Sequence, residues 1–155
     1  METLEPLLRH HDFLEGLEPA QLEVLTGCVS NIRFGAGETL AREGDPADRF
    51  FLIREGRVAL DIAAPARGPI TVQTVGPGGV VGFSWLFEPY QWQFDARAVE
   101  PVRALALDGL CLRGKCERDP RLGFDLMRRF ARVAVSRLQA TRLQLLDVYG
   151  HDGAR

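Results

Sequence analysis

The sequence is short of the residues and segments that mark several classes of protein. Its three cysteines, Cys28, Cys111 and Cys116, have unrelated spacings, which argues against a disulfide framework or a four-ligand zinc site and predicts reduced, partly buried thiols. No apolar run approaches the ~20 residues that cross a bilayer. Residues 1–5 lack the basic and apolar regions of a signal peptide. The sequence therefore predicts a cytoplasmic protein without a membrane partner.

Histidine is also scarce, and its placement argues against catalysis. His10, His11 and His151 lie near the ends of the chain. Residues 82–86, GFSWL, half resemble a nucleophile elbow, but the closing glycine is absent and no histidine between residues 12 and 150 can act as the base. Phosphate-loop, paired-cysteine and helical histidine-pair motifs are missing as well. We therefore expect no enzyme activity, no catalytic residues and no metal site.

The charged residues are unevenly distributed within one globular domain. Hydrophobic residues make up 46% and charged residues 26% of the chain, which are ordinary globular values. Residues 1–50 contain ten acids and four bases, whereas residues 121–155 contain seven arginines and three acids. The arginines either form a solvated helix face or meet phosphate or an acidic partner. The sequence pI of about 5.9 argues against a nucleic-acid surface.

The spacing of apolar residues divides the domain into three regions. Residues 1–30 have helical spacing and predict two short helices. Residues 31–110 carry short apolar runs separated by glycine, which is typical of a barrel or sandwich. Residues 111–150 return to helical spacing, with a long helix from about residue 121 that stops at Gly150. The sequence predicts a mostly β, α+β architecture with flanking helices.

The long helix carries a stripe that indicates a dimer. Seven residues repeat with 4-3 spacing, the seam of a two-stranded coiled coil: Met127, Ala131, Ala134, Leu138, Thr141, Leu145 and Val148. We predict a homodimer whose interface includes Ala134, Leu138, Thr141, Leu145 and Val148. Burial of this seam against the same subunit is the alternative. Leu126, Phe130 and Val133 lie on a neighbouring face and are expected to pack on the chain's own barrel.

Dense motifs in the β region resemble the cyclic-nucleotide-binding domain. Residues 35–58, GAGETLAREGDPADRFFLIREGRV, are similar to the opening strands of that family. Residues 75–82, VGPGGVVG, resemble the stretch that leads into its phosphate-binding cassette, which spans residues 76–98 here. The resemblance implies a double-stranded β-helix of the jelly-roll type, or β-roll, with a pocket inside it. In the catabolite-activator branch it also implies a dimer joined along the last long helix.

The cassette departs from the family pattern at both charged anchors. Phe83 replaces the glutamate that accepts a hydrogen bond from the ribose 2′-hydroxyl, and Trp92, Gln93 and Phe94 occupy the positions of the phosphate-binding arginine and its two following residues. Losing two charge-assisted hydrogen bonds costs roughly 3–6 kcal/mol, or about a hundred- to ten-thousandfold in affinity. Ordinary cyclic AMP recognition is therefore not expected.

Aromatic residues occupy both anchor positions and much of the segment between them. Six of the thirteen aromatic residues, including both tryptophans, lie within residues 83–94. In one interpretation the pocket binds an apolar or aromatic small molecule, oriented by Ser84, Gln93 and Arg97. In a second, the rings fill the pocket. In a third, a cyclic nucleotide binds through variant contacts, such as backbone amides after Gly82. No cofactor follows with certainty from these alternatives.

The predicted pocket combines the cassette with one residue of the long helix. Its members are Gly82, Phe83, Ser84, Trp85, Leu86, Trp92, Gln93, Phe94, Arg97 and Thr141. Arg97 has an alternative role, because Asp95 lies two residues away on the same strand face and offers an ion pair. Residues 137–141, RLQAT, resemble the family's closing helix, where a threonine reaches the nucleobase across the dimer. The seam gives Thr141 a structural role as well.

The catabolite-activator branch implies one further expectation, about DNA. Its helix-turn-helix takes roughly sixty residues after the long helix, whereas five follow Gly150. The sequence therefore predicts no sequence-specific DNA binding and a signal passed to an unknown protein partner. We expect a homodimeric sensor or regulatory protein whose pocket reads something other than ordinary cyclic AMP. A true cyclic-nucleotide-binding protein and a ligand-free interaction module are the alternatives.

Overall fold

The chain opens with short helical segments that cover one side of a β structure. The computed structural model describes residues 4–153, and the side chains through Val148. Helix α1 spans Glu5–Arg9, a 3₁₀ turn spans Asp12–Leu14, and α2 spans Pro19–Thr26. Helix α2 starts where proline occupies its first turn and Glu18 and Gln21 form a capping box, which satisfies amides that have no partner within the helix.

Eight antiparallel strands form two four-stranded sheets. The strands are β1 (Val29–Phe34), β2 (Thr39–Ala41), β3 (Arg49–Glu55), β4 (Val58–Ala64), β5 (Gly68–Val75), β6 (Val80–Val81), β7 (Asp95–Ala98) and β8 (Val102–Asp108). The first sheet has the order β1-β8-β3-β6 and the second β2-β7-β4-β5. This two-sheet roll with flanking helices confirms the predicted fold class.

Strand β3 separates two hydrophobic cores. Its successive side chains point to opposite faces of the sheet, so Phe50 and Leu52 join one core while Phe51 and Ile53 join the other. The outer core lies between the first sheet and the helices, and includes Trp85, Leu105 and Phe130. The inner core lies between the two sheets. It includes Trp92 and the small residues Ala96, Ala98, Ala104 and Ala106.

Two helices follow the last strand, and the second extends beyond the roll. Helix α3 spans Gly109–Arg118, and α4 spans Pro120–Gly153, so α4 continues past the stop predicted at Gly150. Leu126 and Phe130 of α4 are buried in the outer core. Val133 is partly buried against the same core, and beyond it the large apolar residues are exposed: Val135, Leu138, Leu143, Leu145, Leu146 and Val148. Among residues 4–153, no helix combines the length and apolar composition of a bilayer span.

A disulfide links the start of the first sheet to α3. Cys28 and Cys111 are bonded across 83 residues, with their Cα atoms 5.9 Å apart, a normal separation for a disulfide. The prediction of three reduced thiols is therefore wrong for this pair and holds for Cys116. The pairing of β1 with β8 explains the bond, because the Asp108 amide donates to the Cys28 carbonyl at 2.9 Å and fixes the two segments side by side.

Candidate functional site: the cassette and the roll interior

The cassette backbone turns sharply where β6 ends. Gly82 is buried and has a φ of +100°, a region that side chains with a Cβ rarely enter. A Cβ placed on Gly82 would lie 2.5 Å from Cη2 of Trp92, well inside van der Waals contact. The glycine therefore serves two needs, the left-handed turn and room for an indole ring.

Trp92 occupies the interior of the roll beside this glycine. Its residue is 4% exposed, and its ring centroid lies 6.2 Å from that of Phe51 and 5.8 Å from that of Phe94. The backbone of Trp92 is fixed on both sides, since its amide donates to the Asp45 carbonyl and its own carbonyl accepts from the Gly44 amide. The alanines of the inner core leave the space that the indole fills.

Trp85 lies on the other side of the first sheet. It follows Ser84 in a 3₁₀ turn, Ser84–Leu86, and is fully buried in the outer core. Its ring stacks on Phe50 at 5.1 Å between centroids and meets Phe130 of α4 edge-on at 5.7 Å. Phe83 and Leu86 pack against the same outer core. The structure therefore separates these cassette residues from Trp92 and Phe94, which belong to the inner core.

The polar residues of the predicted pocket also point in different directions. Ser84 is buried, whereas Gln93 is exposed and donates from Nε2 to the carbonyl of Gln91 at 2.9 Å. Thr141 is exposed, and its hydroxyl donates to the Arg137 carbonyl one turn earlier in α4. Neither Gln93 nor Thr141 therefore lies in the roll interior with Trp92.

Arg97 is held on the outer face of the second sheet. Ala96 and Ala98 of β7 face the inner core, so Arg97 between them faces away. Its Nε lies 3.2 Å from Oδ2 of Asp61, whose Oδ1 accepts a hydrogen bond from Thr71 at 2.6 Å. The predicted pair with Asp95 is wrong. Asp61 lies directly opposite Asp95 in the neighbouring strand and offers Arg97 a buried carboxylate.

Asp95 and Asp61 therefore have different hydrogen-bond partners. The Asp95 carboxylate accepts from the Glu43 amide at 2.7 Å and so ties the cassette end to the loop after β2. Asp61 is the residue that sequence reasoning missed, because nothing in its own segment points to a partner 36 positions away. A signal is visible only in retrospect, as an acid within the apolar run of β4.

Arg137 of α4 is a second residue that the predicted pocket omitted. Its Nη2 donates to the carbonyl of Val80, while its Nη1 is buried without a hydrogen-bond partner. Burial lowers the pKa of Arg137 to about 10, because a charged guanidinium is poorly solvated in that position. The motif at residues 137–141 contained this arginine, but its spacing alone did not show that the side chain reaches β6.

His11 anchors the N-terminal turn to the roll. Phe13 donates its amide to Nδ1 at 3.2 Å, so Nε2 carries the proton and donates to the carbonyl of Ile53 at 2.9 Å. Burial lowers the pKa of His11, and the hydrogen bond to Ile53 partly opposes that shift. The ring is thus a neutral structural link. Within the described part of the chain, no group of three histidine, cysteine or acidic side chains is placed to hold a metal ion.

Comparison with known proteins agrees with this architecture. The sequence pattern described as "Cyclic nucleotide-binding domain" matches residues 31–119, more than half of the chain. The chain belongs to the cyclic nucleotide-binding domain family. A solved protein structure from Geobacter metallireducens is 33% identical, with a TM-score of 0.79 over 89% of this chain and 99% of its own. The catabolite activator protein of Thermus thermophilus is 22% identical and shares the fold, with a TM-score of 0.69 over 90% of this chain.

Curated relatives are longer than this chain. A "CRP-like cAMP-activated global transcriptional regulator" of Mycobacterium tuberculosis is 28% identical over 145 residues, which is 94% of this chain and 63% of the relative. "Acetyltransferase Pat" of Mycolicibacterium smegmatis is 35% identical over 91 residues, which is 59% of this chain and 27% of the relative. The family domain thus occurs both in a regulator and beside an enzyme.

Proposed function

We propose that this domain is a homodimeric regulatory module whose roll interior does not admit an ordinary cyclic nucleotide. The observation that carries this proposal is the position of Trp92. Its indole, 4% exposed, lies against Gly82 and Phe51 between the two sheets. A nucleotide in this space has to displace a buried tryptophan, whose burial alone contributes several kcal/mol. This position favours the interpretation in which aromatic rings fill the pocket.

The surroundings of the cassette support the same proposal. Phe83 contributes no carboxylate and packs on the outer core. Arg97 is the one cation of the predicted pocket, and it pairs with Asp61 on the outer sheet face. A cyclic phosphate is normally held by the paired donors of a guanidinium. A nucleotide entering the roll would therefore lose its charge partner and would also have to displace Trp92.

The free half of α4 supports the dimer. Leu138 is 61% exposed and Leu145 57%, whereas Leu126 of the same helix is fully buried. Exposed apolar patches of this kind mark interaction surfaces, and the 4-3 spacing of the residues matches a second copy of the same helix. We propose that Ala134, Leu138, Thr141, Leu145 and Val148 form the seam, and that a protein partner reads the state of this dimer.

Calorimetric titration of the whole chain with cyclic AMP and cyclic GMP tests the closed interior. We expect no binding in the low micromolar range, because two anchors are absent and the space is filled. Low-micromolar binding of either nucleotide would overturn the proposal and favour the alternative of a true cyclic-nucleotide-binding protein. Trp92→Phe is the matched variant. Its smaller ring opens space in the interior, but it should still not bind either nucleotide in the low micromolar range, because the charge partners remain absent.

Light scattering tests the dimer separately. Leu138→Asp places a charge in the seam, so we expect the mass of a monomer, whereas the unmodified chain should give the mass of a dimer. Gln139→Asp introduces the same charge at the next, exposed position outside the seam and should leave the mass unchanged. A dimeric Leu138→Asp protein would contradict the proposed seam.

A further inference from the structure

A groove on the helix side of the roll has no assigned role. It lies between the middle of α4, the end of β5 with the turn that follows it, and the 3₁₀ turn near the N-terminus, and its volume is about 610 Å³. That volume is typical of small-molecule sites. We propose that this groove binds a small organic oxyanion, a molecule bearing a phosphate or carboxylate group, through Arg132 and Arg137.

This groove is distinct from the roll interior. Val75 is the one lining residue that also belongs to the inner core, and the groove is lined by none of the predicted pocket residues, from Gly82 to Thr141. Trp92 does not border it. The inference therefore goes beyond the proposed function and does not depend on whether the interior of the roll is closed.

Arg137 gives the groove wall a largely buried positive charge that no acidic side chain within residues 4–148 neutralises. Its Nη2 donates to the Val80 carbonyl, and its Nη1 has no hydrogen-bond partner although it is buried. A buried cation without a compensating acceptor is costly. Burial lowers the pKa of Arg137 to about 10, which leaves the side chain charged at neutral pH. An oxyanion in the groove places the opposite charge next to this guanidinium, and the exposed Arg132 offers it hydrogen-bond donors.

Arg129 and Arg132 differ in the hydrogen bonds and ion pairs that their guanidinium groups form within the chain. The guanidinium of Arg129 pairs with Asp125 and donates to the carbonyls of Phe13 and Glu15, so it builds the wall of the groove. Arg132 lines the same groove and is exposed, and within residues 4–148 it forms no ion pair. Its charge is available to a ligand that also reaches Arg137.

The rest of the lining restricts the ligand further. Asp12 and Glu15 border the groove on the side of the N-terminal turn, while Phe13, Pro77 and Val133 provide apolar surface. A ligand that fits therefore has its anionic group at the α4 side and a neutral, partly apolar remainder. A simple inorganic ion would leave the apolar surface uncovered.

The groove stays open in the proposed dimer. An α-helix advances about 100° per residue, so Arg129, Val133 and Ser136 of the groove lie on the face of α4 roughly opposite to Ala134 and Leu138 of the seam. A second copy of α4 on the seam therefore leaves Arg132 uncovered. Arg137, which directly precedes Leu138, flanks the seam, and its side chain extends to the Val80 carbonyl on the roll. Ligand binding and dimerisation are compatible on these grounds.

Calorimetry with phenyl phosphate and citrate tests the site on the whole chain. Phenyl phosphate supplies a phosphate with an apolar ring, and citrate supplies carboxylates. We expect at least one of them to bind, and Arg132→Gln to weaken that binding by about tenfold or more, the effect of one charge-assisted hydrogen bond. Arg128→Gln, one turn earlier and turned over the Phe124 ring, is the matched control and should bind as the unmodified chain does.

The outcomes of this experiment separate the two ligand sources and the two proposals. Binding of phenyl phosphate alone assigns phosphate chemistry, and binding of citrate alone assigns carboxylate chemistry. If neither probe gives heat at a concentration of about 10 mM, the site is overturned, because any useful dissociation constant is smaller than that concentration. Equal losses of affinity in Arg132→Gln and Arg128→Gln would overturn it too. Cyclic AMP binding that persists in Arg132→Gln contradicts the closed interior alone, so the two proposals fail separately.

Discussion

The two tryptophans of the cassette lie in one short segment but fill different cores. Trp85 stacks on Phe50 and meets α4, whereas Trp92 lies beside Phe51 between the sheets. Phe50 and Phe51 are neighbours in β3 and point to opposite faces. The difference shows that a segment rich in aromatic residues need not line one pocket. Here one ring attaches the helices to the roll, and the other fills the roll.

The division has a consequence for function. In the outer core Trp85 of the cassette packs against Phe130 of α4, so the cassette and the proposed dimer helix are in direct contact. The inner core holds Trp92 between the two sheets, in the space that we propose is closed to a nucleotide. The structure thus places one tryptophan of the cassette against the helix and the other between the two sheets. The following predictions test whether the two cores really differ in this way.

The largest expected effect is on the outer core. Trp85→Ala removes a fully buried ring that packs on both β3 and α4, so we expect a loss of about 3–5 kcal/mol in the free energy of unfolding, measured by urea denaturation. Phe87→Ala, at a ring that is 46% exposed, should change stability by about 0.5 kcal/mol or less. Similar losses for both variants would show that Trp85 does not connect the layers.

Next in size is Gly82→Ala, on the inner side. The new methyl group needs an unfavourable positive φ and meets the Trp92 ring at 2.5 Å, so we expect a loss of about 2–4 kcal/mol. In a Trp92→Leu background the overlap disappears and only the backbone strain, about 1–2 kcal/mol, should remain. An equal cost in both backgrounds would mean that the indole does not lie against Gly82.

His11 joins the N-terminal turn to β3 and should make stability depend on pH. Its folded pKa is lowered, mainly by burial, so the unfolded chain binds the proton first as the pH falls below about 6.5. Stability should therefore decrease from pH 6.5 down towards the folded pKa, with no further contribution from this group below it. Denaturation at a series of pH values measures this slope.

His11→Gln should reduce that slope and lower stability at neutral pH by about 1–3 kcal/mol, because buried hydrogen bonds are lost. His10→Gln, at the exposed neighbouring position, is the control and should keep the slope of the unmodified chain. A slope that is the same in His11→Gln and in the unmodified chain would show that another group causes the pH dependence.

The smallest expected effect concerns the outer face of the second sheet. Arg97→Gln should cost about 1 kcal/mol or less, since the arginine side chain is 44% exposed and its ion pair is partly screened. Combined with Asp61→Asn it should show a coupling free energy, whereas combined with Asp95→Asn the two losses should add. Coupling to Asp95 and additivity with Asp61 would reverse the assignment of the ion pair.

Much of the fold could be predicted because its signals are local. Glycines between short apolar runs mark the turns of the roll, and 3.6-residue periodicity marks the helices at both ends. The buried residues Leu126 and Phe130 also follow from spacing on one helix face. These features depend on residues close together in sequence, so pattern reasoning reaches them.

The site was harder to predict, because its contacts join residues that are far apart in the sequence. Cys28 and Cys111 meet only through the register of β1 with β8. The separation of Trp85 from Trp92 depends on which face of β3 each ring meets, and Asp61 reaches Arg97 from a neighbouring strand. None of these juxtapositions has a signal within its own segment. The absence of the two charged anchors, by contrast, was visible in the sequence at Phe83 and Trp92.

The central claim is that Trp92 fills the roll interior in place of a cyclic nucleotide. A crystal structure grown with saturating cyclic AMP tests it most directly, because it locates both the indole and any nucleotide. The account predicts the Trp92 ring against Gly82 and Phe51, with no nucleotide between the sheets. A nucleotide in that space, with the ring of Trp92 turned out of the inner core, would contradict it.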